Sequence, residues 1–301
     1  NDKFFGITKI KKTKEMKDAD IEKAGRNMII YYHFDNLSAS PKQFVQDSDD
    51  CFSKLKQFVD VILHTCTPSD VEIALKITSP GGFAFKFQSA YTNLMRLRNA
   101  GFTITALIDE MCASGGYMLA CACNKIISSK YAVVGSVGVI AKGINYSGLT
   151  ESIGIKEKTF KTGKYKEIFP TGEQFTDEHV NLMNEHMKET FCVFKEIVKI
   201  ARNLSDEKMT VVESAKIWYA DANLIDVGLI DEIKQVDDWL MEISKEHFIY
   251  LVVQNEKKSG LIGMLFTEFS PKLFQLGNII DFFTKIIESK KSAELDCIDM
   301  C

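Results

Sequence analysis

Val71-Glu-Ile-Ala-Leu-Lys-Ile77, running into Thr78-Ser79-Pro80-Gly81-Gly82, is the stretch on which the fold turns. Its first seven residues have strand length and β-branched Val71, Ile73 and Ile77,. They stop at a backbone turn that only glycines make easily. The same plan follows at once. Gln88 to Asn99 reads as a helix with Leu94, Met95 and Leu97 among its apolar residues, Ala100-Gly101 as a turn, and Phe102 to Ile108 as a strand. A second glycine turn, Cys112-Ala113-Ser114-Gly115-Gly116-Tyr117, then opens an apolar helix reaching about Cys123. Strands alternating with helices predict an α/β fold with a mainly parallel sheet.

Upstream, Asn27 to Phe34 is an apolar run of strand length and the first core strand,. Between Pro41 and about His64, Phe44, Phe52, Leu55, Phe58, Val59 and Ile62 recur at helical spacing,. Downstream, Lys125 to Ser128 and Ala132 to Ile140 read as short strands, the second interrupted by Gly135-Ser136-Val137-Gly138. Residues 143–175 read as loops. A long amphipathic helix is expected from Thr176, as N-cap, to about Arg202,. A helix over 211–223 and a strand over Leu229 to Ile233 complete the reading of the main domain.

These signals divide the chain into a charged N-terminal arm (1–26), a main domain (27–245) and a C-terminal strand with an amphipathic helical tail (246–301). In the tail, Ile262, Phe266, Phe269, Leu273, Leu276, Ile280, Phe283 and Ile287 recur alternately four and three apart, an apolar seam,. Ser270-Pro271 breaks it as an N-cap followed by Pro at the first helical position, so two helices with a bend are expected,. The seam could face a partner subunit, a membrane surface or the chain's own core.

Composition narrows the function classes. With 301 residues, 46% hydrophobic and 26% charged, the chain is an ordinary globular mixture, neither disordered nor collagenous,. A net charge of -4 offers no global positive field for nucleic acid, which is not expected as a partner,. The eight cysteines form no CxxC pair and no Cys/His cluster at zinc spacing, so neither a metal nor any other cofactor is expected,. Most lie in apolar stretches and read as buried thiols. No apolar run approaches the roughly 18 residues of a membrane span. The chain opens at Asn1 with no apolar signal region, as a fragment without its targeting segment would,.

The chemistry points to the second glycine turn. A serine at the start of a helix is exposed, and the backbone N–H groups there, with neighbouring glycines, let a substrate carbonyl approach. The same residues also suit tight packing of small side chains, so Ser114 needs a partner base before it reads as a nucleophile. His33, His64, His179, His186 and His247 all lie outside the glycine-marked turns. Lysine is the alternative, as in Ser-Lys enzymes. Thr162-Gly163-Lys164-Tyr165-Lys166-Glu167 offers two candidates.

Taken in order, Ser79-Pro80-Gly81-Gly82, Ala113-Ser114-Gly115-Gly116-Tyr117, Gly135-Ser136-Val137-Gly138-Val139 and Thr162-Gly163-Lys164-Tyr165-Lys166 resemble the signal peptide peptidase A family (S49) of serine peptidases, and its SohB branch above all. The resemblance covers about residues 25–245. It implies a ClpP/crotonase-like fold of repeated β-β-α units and hydrolysis of peptide bonds in peptides or unfolded polypeptides. Carried over by motif, it makes Ser114 the nucleophile, Lys166 the general base and Ser136 a hydrogen-bond partner of the lysine. Gly81, Gly82 and Gly115 would form the oxyanion hole, and Lys164 is the weaker candidate base. It also implies a homo-oligomeric ring with the dyad at a subunit interface, and association with a membrane. The family's usual N-terminal transmembrane helix is not found in this sequence.

A lysine base must be neutral, whereas a free lysine has a pKa of about 10.4, so the mechanism demands a desolvating cavity. Two other readings share the fold. A crotonase-type acyl-CoA enzyme would use the oxyanion hole without a dyad, and an inactive scaffold would keep the ring without reactivity.

Overall fold

The computed structural model describes residues 7–9, 28–37 and 47–252. The apolar seam of the tail and most of the charged arm lie outside them. Within the arm, Ile7–Lys9 (β1) pairs antiparallel with the last strand. The chain then runs through β2 (Met28–Asp35), α1 (Asp47–Thr65), β3 (Val71–Thr78), α2 (Ala84–Asn99), β4 (Ile104–Ile108) and β5 (Met111–Ala113). After these come α3 (Gly115–Ala120), β6 (Lys125–Ser128), β7 (Val133–Gly135), α4 (Ser147–Ser152), a 3-10 turn at Lys164–Lys166 and α5 (Asp177–Arg202). The described chain closes with α6 (Asp206–Val212), β8 (Ile217–Tyr219), α7 (Ala222–Val227), β9 (Glu232–Ile233), α8 (Val236–Ile243) and β10 (Phe248–Val252).

The main sheet has the order β1-β10-β2-β3-β4-β6-β9, and every pair except β1 with β10 is parallel. Its central strand β3 buries Val71, Ile73, Ala74, Leu75 and Ile77, the near-continuous apolar run of a strand covered on both faces,. Leu55, Phe58, Val59 and Ile62 of α1 and Phe87, Ala90, Leu94 and Leu97 of α2 are buried at helical spacing,. A separate cluster of Ile29, Ala74, Leu107, Ile127, Val236 and Ile249 takes Trp239, Leu240 and Ile243 of α8 against it. A smaller sheet, β5-β7-β8, joins β5 and β7 in parallel and β7 and β8 antiparallel. This is the mainly parallel α/β sheet expected from the repeated strand and glycine-turn pattern, with the ClpP-like architecture that the family resemblance implies.

The strands expected over Ala132 to Ile140 and Leu229 to Ile233 are shorter, Val133–Gly135 and Glu232–Ile233, and two further sequence expectations change. The stretch 211–223 is not one helix: α6 ends at Val212, α7 begins at Ala222, and Ile217–Tyr219 is a strand because it bonds to Val133–Gly135. Residues 143–175 are loops interrupted by α4 and the 3-10 turn. The long helix follows its expectation closely. Thr176 is its N-cap, with its N–H donated to His179 Nδ1 at 3.2 Å, and Asn203 closes it in the left-handed conformation,.

The described residues fall into two compact units. Ser136–Lys216 form one of them, and the sheets with their covering helices belong to the other.

Candidate active site

β3 delivers Thr78 and Ser79 to the site, and the chain must then turn within three residues. The buried Ser79 hydroxyl accepts the Gly81 N–H at 3.1 Å, so the turn is closed by a side chain two residues back,. Ser79 is also pinned from both sides by main chain. Its N–H donates to Met111 O at 2.8 Å, and its carbonyl accepts the Ala113 N–H at 2.9 Å. These bonds lay the Ser79-Pro80-Gly81 turn against β5, which leads directly into Ser114.

Ser114 is half-buried and has φ 52 and ψ -123, a conformation costing an L-residue of order 1 to 3 kcal/mol,. Its N–H donates to Gly135 O at 2.8 Å, and its carbonyl accepts the Met118 N–H at 3.1 Å. The serine is thus held on a sharp strand-to-helix turn from two directions. Gly81, at φ +95, lies so close that an added Cβ would stand 2.9 Å from Gly115 N and 3.0 Å from Ser114 Oγ. Gly115 faces the ring of Phe87, 2.4 Å from where its own Cβ would be. Neither position has room for a side chain.

The arrangement leaves donors open. Ser79 Oγ takes the Gly81 N–H, whereas the N–H groups of Gly82 and Gly115 have no acceptor among the described residues. Gly82 is exposed and Gly115 buried.

The other expected site residues lie in the second unit. Ser136 has φ 53 and gives its N–H to Lys216 O at 2.9 Å. Lys166 ends the 3-10 turn and is exposed, with its N–H donated to Gly163 O at 3.1 Å. Lys164 is exposed too, its Nζ 4.7 Å from the ring centre of Tyr165.

Three histidines have structural partners. His33 Nε2 is 2.9 Å from Thr78 Oγ1, His64 Nδ1 is 2.6 Å from Asp60 O, and His179 caps α5. The cysteines at 51, 112, 121 and 123 are buried thiols, whereas Cys192 is exposed. Burial pushes the Cys112 thiol well above its ordinary range, so it stays protonated beside the site,. Among the described residues no three His, Cys, Asp or Glu side chains gather as metal ligands. None of the described helices is long and apolar enough to cross a membrane.

Ser79, Phe87 and Asn36, whose Nδ2 donates to Gly81 O at 3.3 Å, also build this site. Ser79 carries a local signal, a hydroxyl two residues before a glycine. The other two had no local signal, since they arrive from separate elements.

The family model described as Peptidase family S49 matches residues 96–249. The chain belongs to peptidase family S49. It is 30% identical over 205 residues to "Probable protease SohB" of Haemophilus influenzae, covering 68% of this chain and 57% of that protein. It is 29% identical over 189 residues to "Probable protease SohB" of Buchnera aphidicola subsp. Schlechtendalia chinensis, covering 63% of this chain and 61% of that protein. The chain therefore spans somewhat more than half the length of these S49 relatives.

Proposed function

We propose that this chain is the catalytic part of a serine endopeptidase that hydrolyses peptides or unfolded polypeptides through Ser114 and Lys166. The observation that carries the reading is the strained, half-buried Ser114 set beside two open backbone donors. Ser114 Oγ attacks the scissile carbonyl carbon while its proton passes to the neutral Lys166 Nζ. The carbonyl oxygen becomes an oxyanion held by the N–H groups of Gly82 and Gly115, with Gly81 giving the bare surface that lets it approach. In known enzymes one such donor is worth about 10² to 10³ in kcat. The protonated lysine gives its proton to the leaving amine, and an acyl-enzyme remains. Water, deprotonated by the same lysine, then releases the acid and restores Ser114. Ser136 holds the amine by a neutral hydrogen bond that does not favour its charged form.

A neutral lysine needs a dry surrounding, and Lys166 stands exposed,. We therefore assign its cover to a second copy of the chain in a homo-oligomeric ring. Support comes from the same unit, where Ile140, Ile144 and Phe160 are 75%, 81% and 91% exposed,. Membrane association belongs to this proposal on the strength of the family resemblance.

Labelling with a fluorophosphonate, followed by mapping of the modified residue, tests the reading. The expected adduct is on Ser114 and is absent from Ser114→Ala. Failure of the folded protein to label would favour the inactive scaffold, and saturable binding of a coenzyme A thioester in its place would favour the acyl-CoA enzyme.

A further inference from the structure

Asn36 lies one residue beyond β2 and is 7% exposed. Its N–H is fixed to Thr78 O at 3.2 Å, which continues the pairing of β2 with β3 past the last strand residue. Its side-chain Nδ2 donates to Gly81 O at 3.3 Å. Only an N–H can face a carbonyl, so the orientation of the amide is set by this contact. The other end of the amide, Oδ1, is buried with no hydrogen-bond partner among the described residues. A buried acceptor left open costs stability, and a small apolar residue at this place would avoid that cost. The amide is therefore poorly explained as packing.

What it holds is the peptide between Gly81 and Gly82. That unit is planar and trans, so fixing the Gly81 carbonyl on one side fixes the Gly82 N–H on the other. Ser79 Oγ holds the preceding N–H, of Gly81. Between them the two side chains clamp both ends of a glycine that has no side chain of its own to restrict it.

We propose that Asn36 is a positioning residue for the reaction: its side-chain amide sets the direction of the Gly82 N–H, the donor that meets the developing oxyanion. The proposal rests on the peptidase reading above. It acts on transition-state stabilisation and not on ground-state binding, because a donor aimed at the oxyanion meets its partner only as charge develops.

The test compares wild type, Asn36→Ala and Asn36→Asp. The Asp variant keeps the shape of the side chain but places an acceptor against the Gly81 carbonyl. With a fluorogenic peptide, kcat should fall about 10-fold or more in both variants with KM within about two-fold, the pattern of a contact made only in the transition state. Affinity for a peptide boronate, whose tetrahedral adduct places an oxygen in the same hole, should fall in parallel with kcat. Thermal melts identify a variant that has failed to fold, and the Gly82 amide resonance and its hydrogen exchange report on the peptide independently of activity. A moved Gly82 signal with a reduced kcat supports the proposal. An unmoved signal overturns it, as does an unchanged kcat in either folded variant. If wild type forms no adduct at Ser114, the peptidase reading fails. A Gly82 signal that stays put then removes the clamp as well, and one that moves keeps the clamp as a property of the turn while removing its catalytic role.

Discussion

A Cβ built on Gly81 would lie 2.6 Å from the Cβ of Ser114, so the end of one strand's turn and the serine that follows the next strand occupy adjoining space. The approach is possible only for glycine on two counts, the +95 φ and the overlap with Gly115 N at 2.9 Å. Gly81→Ala should cost about 1 to 3 kcal/mol of stability. It should also lower kcat about 10²-fold or more, because the displaced turn carries the proposed oxyanion donor. Urea unfolding and peptide hydrolysis measure the two effects separately. A variant with wild-type kcat would remove the turn from the mechanism.

Gly115 gives a test by double mutation. Its added Cβ meets the buried Phe87 ring, 1% exposed and packed edge-on to Phe34 and Phe52. Gly115→Ala should therefore cost about 1 to 3 kcal/mol through overpacking. Combined with Phe87→Leu, it should cost less than the sum of the two single changes. Strict additivity in denaturation experiments would show that the ring does not set the limit.

Backbone strain at Ser114 separates stability from activity. Ser114→Gly and Ser114→Ala should both abolish fluorophosphonate labelling. Glycine tolerates φ 52 with ψ -123, whereas alanine retains the strain, so the Gly variant should be the more stable of the two by about 1 kcal/mol,. Equal melting temperatures would count against strain at this residue.

His33 predicts a pH dependence of stability. Burial holds its imidazole below the ordinary pKa, with Lys76 acting in the same sense and Asp35, Glu110 and Asp109 opposing. The unfolded chain therefore takes up this proton more readily than the folded one. The contribution of His33 should be complete above about pH 6.5 and decline as the pH falls below that value. Asp109, held low by hydrogen bonds from Lys76 and Ser129, acts in a separate window below the ordinary carboxylate range. His33→Gln should flatten the fall in melting temperature between about pH 6.5 and 5. Parallel curves for variant and wild type would exclude His33 as its source.

The base is tested by charge and by assembly. Lys166→Arg should be nearly inactive, because guanidinium stays protonated and cannot take the Ser114 proton. If the dyad is completed by a neighbouring copy, mixing Ser114→Ala with Lys166→Ala chains should restore part of the activity. Absence of recovery in verified mixed oligomers would place both residues in one chain.

Elements with strong local signals were legible before the structure. The apolar run into Ser79-Pro80-Gly81-Gly82 gives β3 and its turn, Lys125–Ser128 is a strand with the expected bounds, and Thr176 caps a helix ending at Arg202. In each case period, β-branching or cap chemistry acts between near neighbours. The family resemblance, by its motifs, proposes Ser114 and Lys166. Tertiary structure alone made Ile217–Tyr219 a strand, because its hydrogen bonds come from Val133–Gly135, far back along the chain. It alone put α8 against the sheet, set Phe87 against Gly115 and brought Asn36 to the carbonyl of Gly81, 45 residues away. Sequence by itself determined which residue types stand in the turns, since φ preference and periodicity are local. Only the fold decided which N–H groups remain open and how exposed Lys166 is, because hydrogen bonding and desolvation depend on what other segments bring.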